Sequence, residues 1–103
     1  MNRTDRIKEM ERCLDVSRQA ADRLEEAFTL YESIQKDYKK LCDYYGSSRW
    51  LEDFEADEAG KLPADLKRGV LSEDAVYNLI TDNHELSVRM MRLLTKALEN
   101  NVL

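Results

Sequence analysis

Five carboxylates fall within seven residues, at Glu52, Asp53, Glu55, Asp57 and Glu58. On a helix, Asp53 and Asp57 stand one turn apart and could share a divalent cation with Glu58 or a backbone carbonyl. That chemistry would suit a small metal-dependent or regulatory enzyme built on the acidic segment. The spacing does not match a calcium loop, which alternates its acids around a central glycine; Glu58 stands where that glycine belongs. Basic residues are also close in sequence: Arg49 one turn before Asp53, and Lys61, Lys67 and Arg68 just after. A solvated acidic face held by such ion pairs is the commoner outcome. Asp53, Asp57 and Glu58 are therefore kept as a candidate acidic patch, with no metal and no cofactor expected.

The other reactive side chains are sparse. His84 is the single histidine, and zinc or nucleophilic chemistry needs further His or Cys partners at short spacing. Cys13 and Cys42 do not supply them. Read as parts of one helix, they would lie about 43 Å apart at about 1.5 Å per residue, beyond disulfide reach, and are expected as reduced thiols. Tyr31, Tyr38, Tyr44, Tyr45 and Trp50 gather near the end of the first helical stretch. Single-strand platforms pair such aromatics with a basic groove; here the neighbouring segment is acidic. A small aromatic core, with phenol oxygens reaching polar groups, is the expectation. No catalytic residue is assigned.

The elements that must position these residues are helical. The 103 residues fit one domain, and three Gly and one Pro leave few turns. From Thr4 to Tyr45 there is neither Gly nor Pro. Heptads counted from Ile7 give Ile7, Leu14, Ala21, Phe28, Gln35 and Cys42 on one track. The companion track is Met10, Ser17, Leu24, Tyr31, Tyr38 and Tyr45. Only Ser17 and Gln35 break the apolar pattern, which predicts a long amphipathic helix of coiled-coil character over about 4–45. Asn2 or Thr4 is the expected N-cap and Gly46 the left-handed stop. Ser47 or Ser48 opens a short helix over about 48–59, ended by Gly60, with Trp50, Leu51 and Phe54 on its apolar edge. Residues 60–71 read as an ordered connector with one turn near Pro63, and Leu62, Leu66, Val70 and Leu71 are expected to pack. Ser72 caps a last helix over about 72–100, whose stripe runs through Val76, Leu79, Ile80, Leu86, Met90, Leu93, Leu94, Ala97 and Leu98.

The central stretch carries a resemblance. Tyr44-Tyr45-Gly46-Ser47, Trp50, Asp53-Phe54-Glu55, Asp57-Glu58, Gly60-Lys61-Leu62-Pro63 and the run Asp65 to Asp74 resemble a bacterial domain-of-unknown-function family, number forty-two ninety-eight. The resemblance covers nearly the whole chain. It implies a small, helical, cytoplasmic bacterial protein, and it brings no activity, cofactor or catalytic residue.

The expected fold is all-α: a long antiparallel helical hairpin, with the short helix and ordered elbow between its two long helices. The formal net charge of −5 lacks the long-range attraction to phosphate that nucleic-acid binding needs, so nucleic acid is not an expected partner. No apolar run approaches the roughly 20 residues that span a bilayer, and no apolar signal region follows the N-terminus. The expectation is therefore a cytoplasmic protein with no membrane partner. A length mismatch adds one more inference. Residues 4–45 would span about 60 Å as a helix and 72–100 about 43 Å, so Ile7, Met10 and Leu14 would lack an intrachain partner. Together with Ile80, Met90 and Leu94 on the last helix, they form a candidate interaction surface. The expected function is protein–protein interaction or scaffolding as an oligomer, with a homodimer and an unidentified protein as partners. An acidic mimic of DNA is a third idea, resting on net charge alone.

Overall fold

The computed structural model describes residues 2–103. Asn2 opens the first helix: its side-chain oxygen accepts the amide of Asp5 at 2.8 Å, meeting one of the amides a helix start leaves unpaired. The chain then forms α1 (Arg3–Ser33), α2 (Gln35–Tyr45), α3 (Ser48–Glu58), a 3₁₀ turn (Gly69–Leu71) and α4 (Ala75–Glu99). Among the described residues there is no strand, so the expected all-α class holds. By contact the chain divides into two compact units, Met1–Tyr38 and Lys39–Leu103, the division falling inside α2.

In the first unit the helical run expected over 4–45 is interrupted at Ile34, where the backbone sits at φ −98°, ψ 5°. Two flanking polar side chains bond to carbonyls at the break. In an unbroken helix the carbonyls of Leu30 and Tyr31 would take the amides of Ile34 and Gln35. Here Ser33 Oγ donates to the Leu30 carbonyl at 2.6 Å, and Gln35 Nε2 donates to the Tyr31 carbonyl at 2.9 Å. Such local bonds offer the backbone an alternative to the ladder. The ladder resumes with the Tyr38 amide on the Ile34 carbonyl at 2.9 Å.

The second unit is stitched by its corners. Gly46 does not take the left-handed conformation expected of it; Gly60 does, at φ +70°. The α2–α3 corner closes instead through Ser47, whose hydroxyl donates to the Tyr44 carbonyl at 2.6 Å while its oxygen caps the Trp50 amide at 3.4 Å. At the far end of α3, the Gly60 amide meets the Asp57 carbonyl and the Lys61 amide meets the Ala56 carbonyl, the paired bonds of a glycine C-cap. Ser72 is not the N-cap expected: the regular helix starts at Ala75 with Asp74 at its N-cap, and Ser72 Oγ accepts the Ala75 amide at 3.2 Å from the turn before it. Asn101, at φ 58°, plays Gly60's role after α4.

Trp50 anchors the unit. Its ring lies edge-on to Tyr45 (centroids 5.2 Å, 72°) and stacked on Phe54 (5.2 Å, 17°). The 3₁₀ turn packs against both α3 and α4, and the most enclosed side chains sit there: Leu71 is 6 % exposed and Val76 3 %. Full burial of two such side chains is worth about 1.5–3 kcal/mol each. Leu62 and Val70 are half-buried as the connector pattern predicts. Leu66 is not: its amide closes the tight turn onto the Pro63 carbonyl, and its side chain stays 48 % exposed.

Candidate functional site

The acidic helix resolves into separate interactions. The Tyr44 hydroxyl donates to Asp53 Oδ2 at 2.6 Å across the α2–α3 corner. That bond, with lesser help from desolvation and the carboxylate's charge, pushes the phenol up to about 12. Asp57 turns the other way, to Arg68 Nη1 at 2.7 Å, and both side chains are partly shielded from solvent. The Arg68 guanidinium also reaches the Ala64 carbonyl, at 3.5 Å. Glu58 is exposed. The three residues of the acidic patch therefore point to three different surroundings. Among the described residues, no three His, Cys, Asp or Glu side chains come together as a metal would require. Of the four cations proposed to hold the patch, Arg68 alone forms a bridge to it among the described residues.

Sequence reasoning missed Tyr44 as the partner of Asp53, and the Val70 carbonyl as the acceptor for Trp50 Nε1 at 2.9 Å. The first had a usable signal: a serine-capped corner folds the last turn of one helix beside the first turns of the next. The second had none, since a backbone carbonyl carries no side-chain signature.

The apolar candidates are presented to solvent. Ile7, Met10 and Leu14 are 53 %, 55 % and 60 % exposed. At 100° per residue they fall within an arc of about 60° on α1. The track continues through exposed Leu24, Phe28 and Tyr31, and α1 holds no buried residue. On α4, Met90 and Leu94 are exposed whereas Ile80 is half-buried; the three lie within about 80° of arc. A further exposed apolar position on α4, Met91, was not singled out. It lines a shallow groove open to solvent with Val88, Arg92, Thr95 and Lys96. Its i, i+3 spacing from Val88 was visible in the sequence, outside the main stripe.

Cys13 and Cys42 are both free thiols. Cys13 lies beside the Glu9–Arg12 pair, in which Arg12 Nη2 donates to Glu9 Oε1 at 2.7 Å; that bond holds the Glu9 carboxyl below its ordinary range. Among the described residues, no helix is long and apolar enough to cross a membrane.

No curated protein matches the chain, and no solved structure does. One family does match, over residues 7–93, which takes in most of α1, the corner, the acidic helix, the connector and most of α4. By that match the chain belongs to the family described as a domain of unknown function, DUF4298.

Proposed function

We propose that this chain is a helical protein–protein interaction module that works as an oligomer, pairing with a second copy through the apolar stripe of α1. One observation carries the reading: a 31-residue helix that buries none of its residues holds Ile7, Met10, Leu14, Leu24 and Phe28 on a single exposed track. Helices in water draw most of their stability from packing an apolar face. A continuous stripe of this kind marks a surface that another protein covers. The exposed residues of α4, among them Met90 and Leu94, offer a second apolar surface, for a protein partner. Two free thiols suit a reducing compartment, and the proposed setting is the cytoplasm.

Light scattering coupled to size exclusion at micromolar concentration tests the pairing. The expected mass is twice 12.1 kDa, falling to that of one chain when Leu14 is changed to Asp. A wild-type mass of one chain overturns the reading.

A further inference from the structure

The charges flanking the α1 stripe give the pair a direction. With Ile7, Leu14, Ala21 and Phe28 at position a and Met10, Ser17, Leu24 and Tyr31 at position d, the e column is Glu11, Arg18, Glu25 and Glu32. The g column is Arg6, Cys13, Ala20 and Ala27. Three acids and one cation therefore line one edge of the stripe, and a single cation lines the other. Arg18 is spent within its own helix, bridging Asp22 at 2.8 Å. Among the described residues, Glu11, Glu25, Glu32 and Arg6 enter no ion pair, so the acidic edge is more one-sided than its formal sum.

In an antiparallel pair of helices the e columns face each other and so do the g columns. Here that sets the three acids and the already paired Arg18 of one edge against their copies along one side, and the Arg6-bearing edge against its copy along the other. In a parallel pair in register, each g column faces the partner's e column, which is how e and g charges set orientation in coiled coils. The acidic edge then meets the edge that carries the cation and is otherwise uncharged. Arg6, in the first turn and a half, falls beside Glu11 of the partner copy, and the two-fold axis repeats the contact. The helix dipoles favour the antiparallel sense, but that effect is confined to the terminal turns and screened by salt.

We infer that two copies of this chain pair through α1 in parallel and in register, with Arg6 of each against Glu11 of the other. This rests on the self-association proposed above and goes further, fixing the orientation and the residues that read it. A parallel zipper also brings the C-terminal ends of the two copies' α1 helices together.

A thiol placed on the seam reports the orientation. In a background with Cys13→Ser and Cys42→Ser, Met10→Cys stands opposite its own copy only in the parallel arrangement. The expected result is near-complete disulfide-linked dimer under mild oxidation, at the light-scattering mass of two chains. In the antiparallel arrangement position 10 faces position 28. A two-chain mass with cross-linking only when Met10→Cys is mixed with Phe28→Cys overturns the orientation and leaves the self-association standing. A one-chain mass overturns both. Charge reversal gives a second reading free of engineered thiols. Arg6→Glu weakens the dimer on the order of threefold to tenfold at low salt, from two surface pairs turned repulsive, and adding Glu11→Arg restores it. Failure of the double reversal to restore the wild-type dissociation constant overturns the pairing of Arg6 with Glu11.

Discussion

The indole N–H of Trp50 donates to the carbonyl of Val70 at 2.9 Å, tying α3 to the 3₁₀ turn across twenty residues of chain. This bond and the Arg68–Asp57 bridge at 2.7 Å tie the connector to α3 between its two ends.

Removing the indole therefore loosens the connector more than it loosens α3. Trp50→Phe keeps part of the ring packing and leaves the Val70 carbonyl without its donor, a loss of about 1 kcal/mol. Trp50→Ala removes packing as well and costs about 2–3 kcal/mol, below the range for a fully buried aromatic because this ring is half-buried. Limited proteolysis reads both: cleavage between residues 60 and 71 accelerates in the order wild type, Trp50→Phe, Trp50→Ala. Equal cleavage rates in all three would show that the connector is held by something else.

Tyr44 titrates apart from an ordinary tyrosine. Its hydrogen bond to Asp53 raises the phenol to about 12, against about 10 in an unfolded chain. A raised folded value means that the native state holds its proton more tightly. The stabilisation is therefore fully present below about pH 10 and is lost as pH rises from 10 towards 12. Absorbance at the tyrosinate band, followed against pH, shows a late-titrating phenol in the wild type. In Asp53→Asn the lag disappears, because the carboxylate that made ionisation unfavourable is gone. A late phenol that persists in that variant would place it at another tyrosine.

The interruption at Ile34 depends on two side chains and yields to their removal. The double change Ser33→Ala, Gln35→Ala frees the carbonyls of Leu30 and Tyr31 for backbone amides and replaces two residues with better helix formers. The expected outcome is a continuous helix from Arg3 to Tyr45, seen as helical carbon shifts at Ile34 by NMR, with stability raised by about 0.5–1 kcal/mol. Non-helical shifts at Ile34 in that variant would place the cause outside these two bonds.

The parts of this fold that could be read from the sequence are those set by neighbours in the chain. Asn2, Ser47 and Ser72 each place a short oxygen before a helix, and the helix starts follow them. Gly60 was legible for the same reason, as a residue free to turn left-handed after an amphipathic run. Gly46 misled because glycine permits that conformation without requiring it; the Ser47 hydroxyl closed the corner by another route. The break at Ile34 left only a faint mark: Gln35 departs from the apolar track beside it, yet a polar residue on that track need not interrupt a helix, as Ser17 within α1 shows. At the candidate site, the exposed stripe of α1 follows from spacing alone. The division of Asp53 and Asp57 between Tyr44 and Arg68 depends on which way a corner and a connector fold, and no residue pattern encodes that directly.

Among the described elements, the 3₁₀ turn touches α3 before it and α4 after it, and Asp57 meets Arg68 across eleven residues. The anchoring contacts of this unit thus join segments close along the chain. Closing such short loops costs little entropy and takes well under a microsecond. Chains whose contacts are this local fold in microseconds to milliseconds. The C-terminal unit is therefore expected to reach its native form in a single rapid exponential phase, long before two copies at micromolar concentration can meet, so that pairing through α1 joins chains whose C-terminal units are already folded.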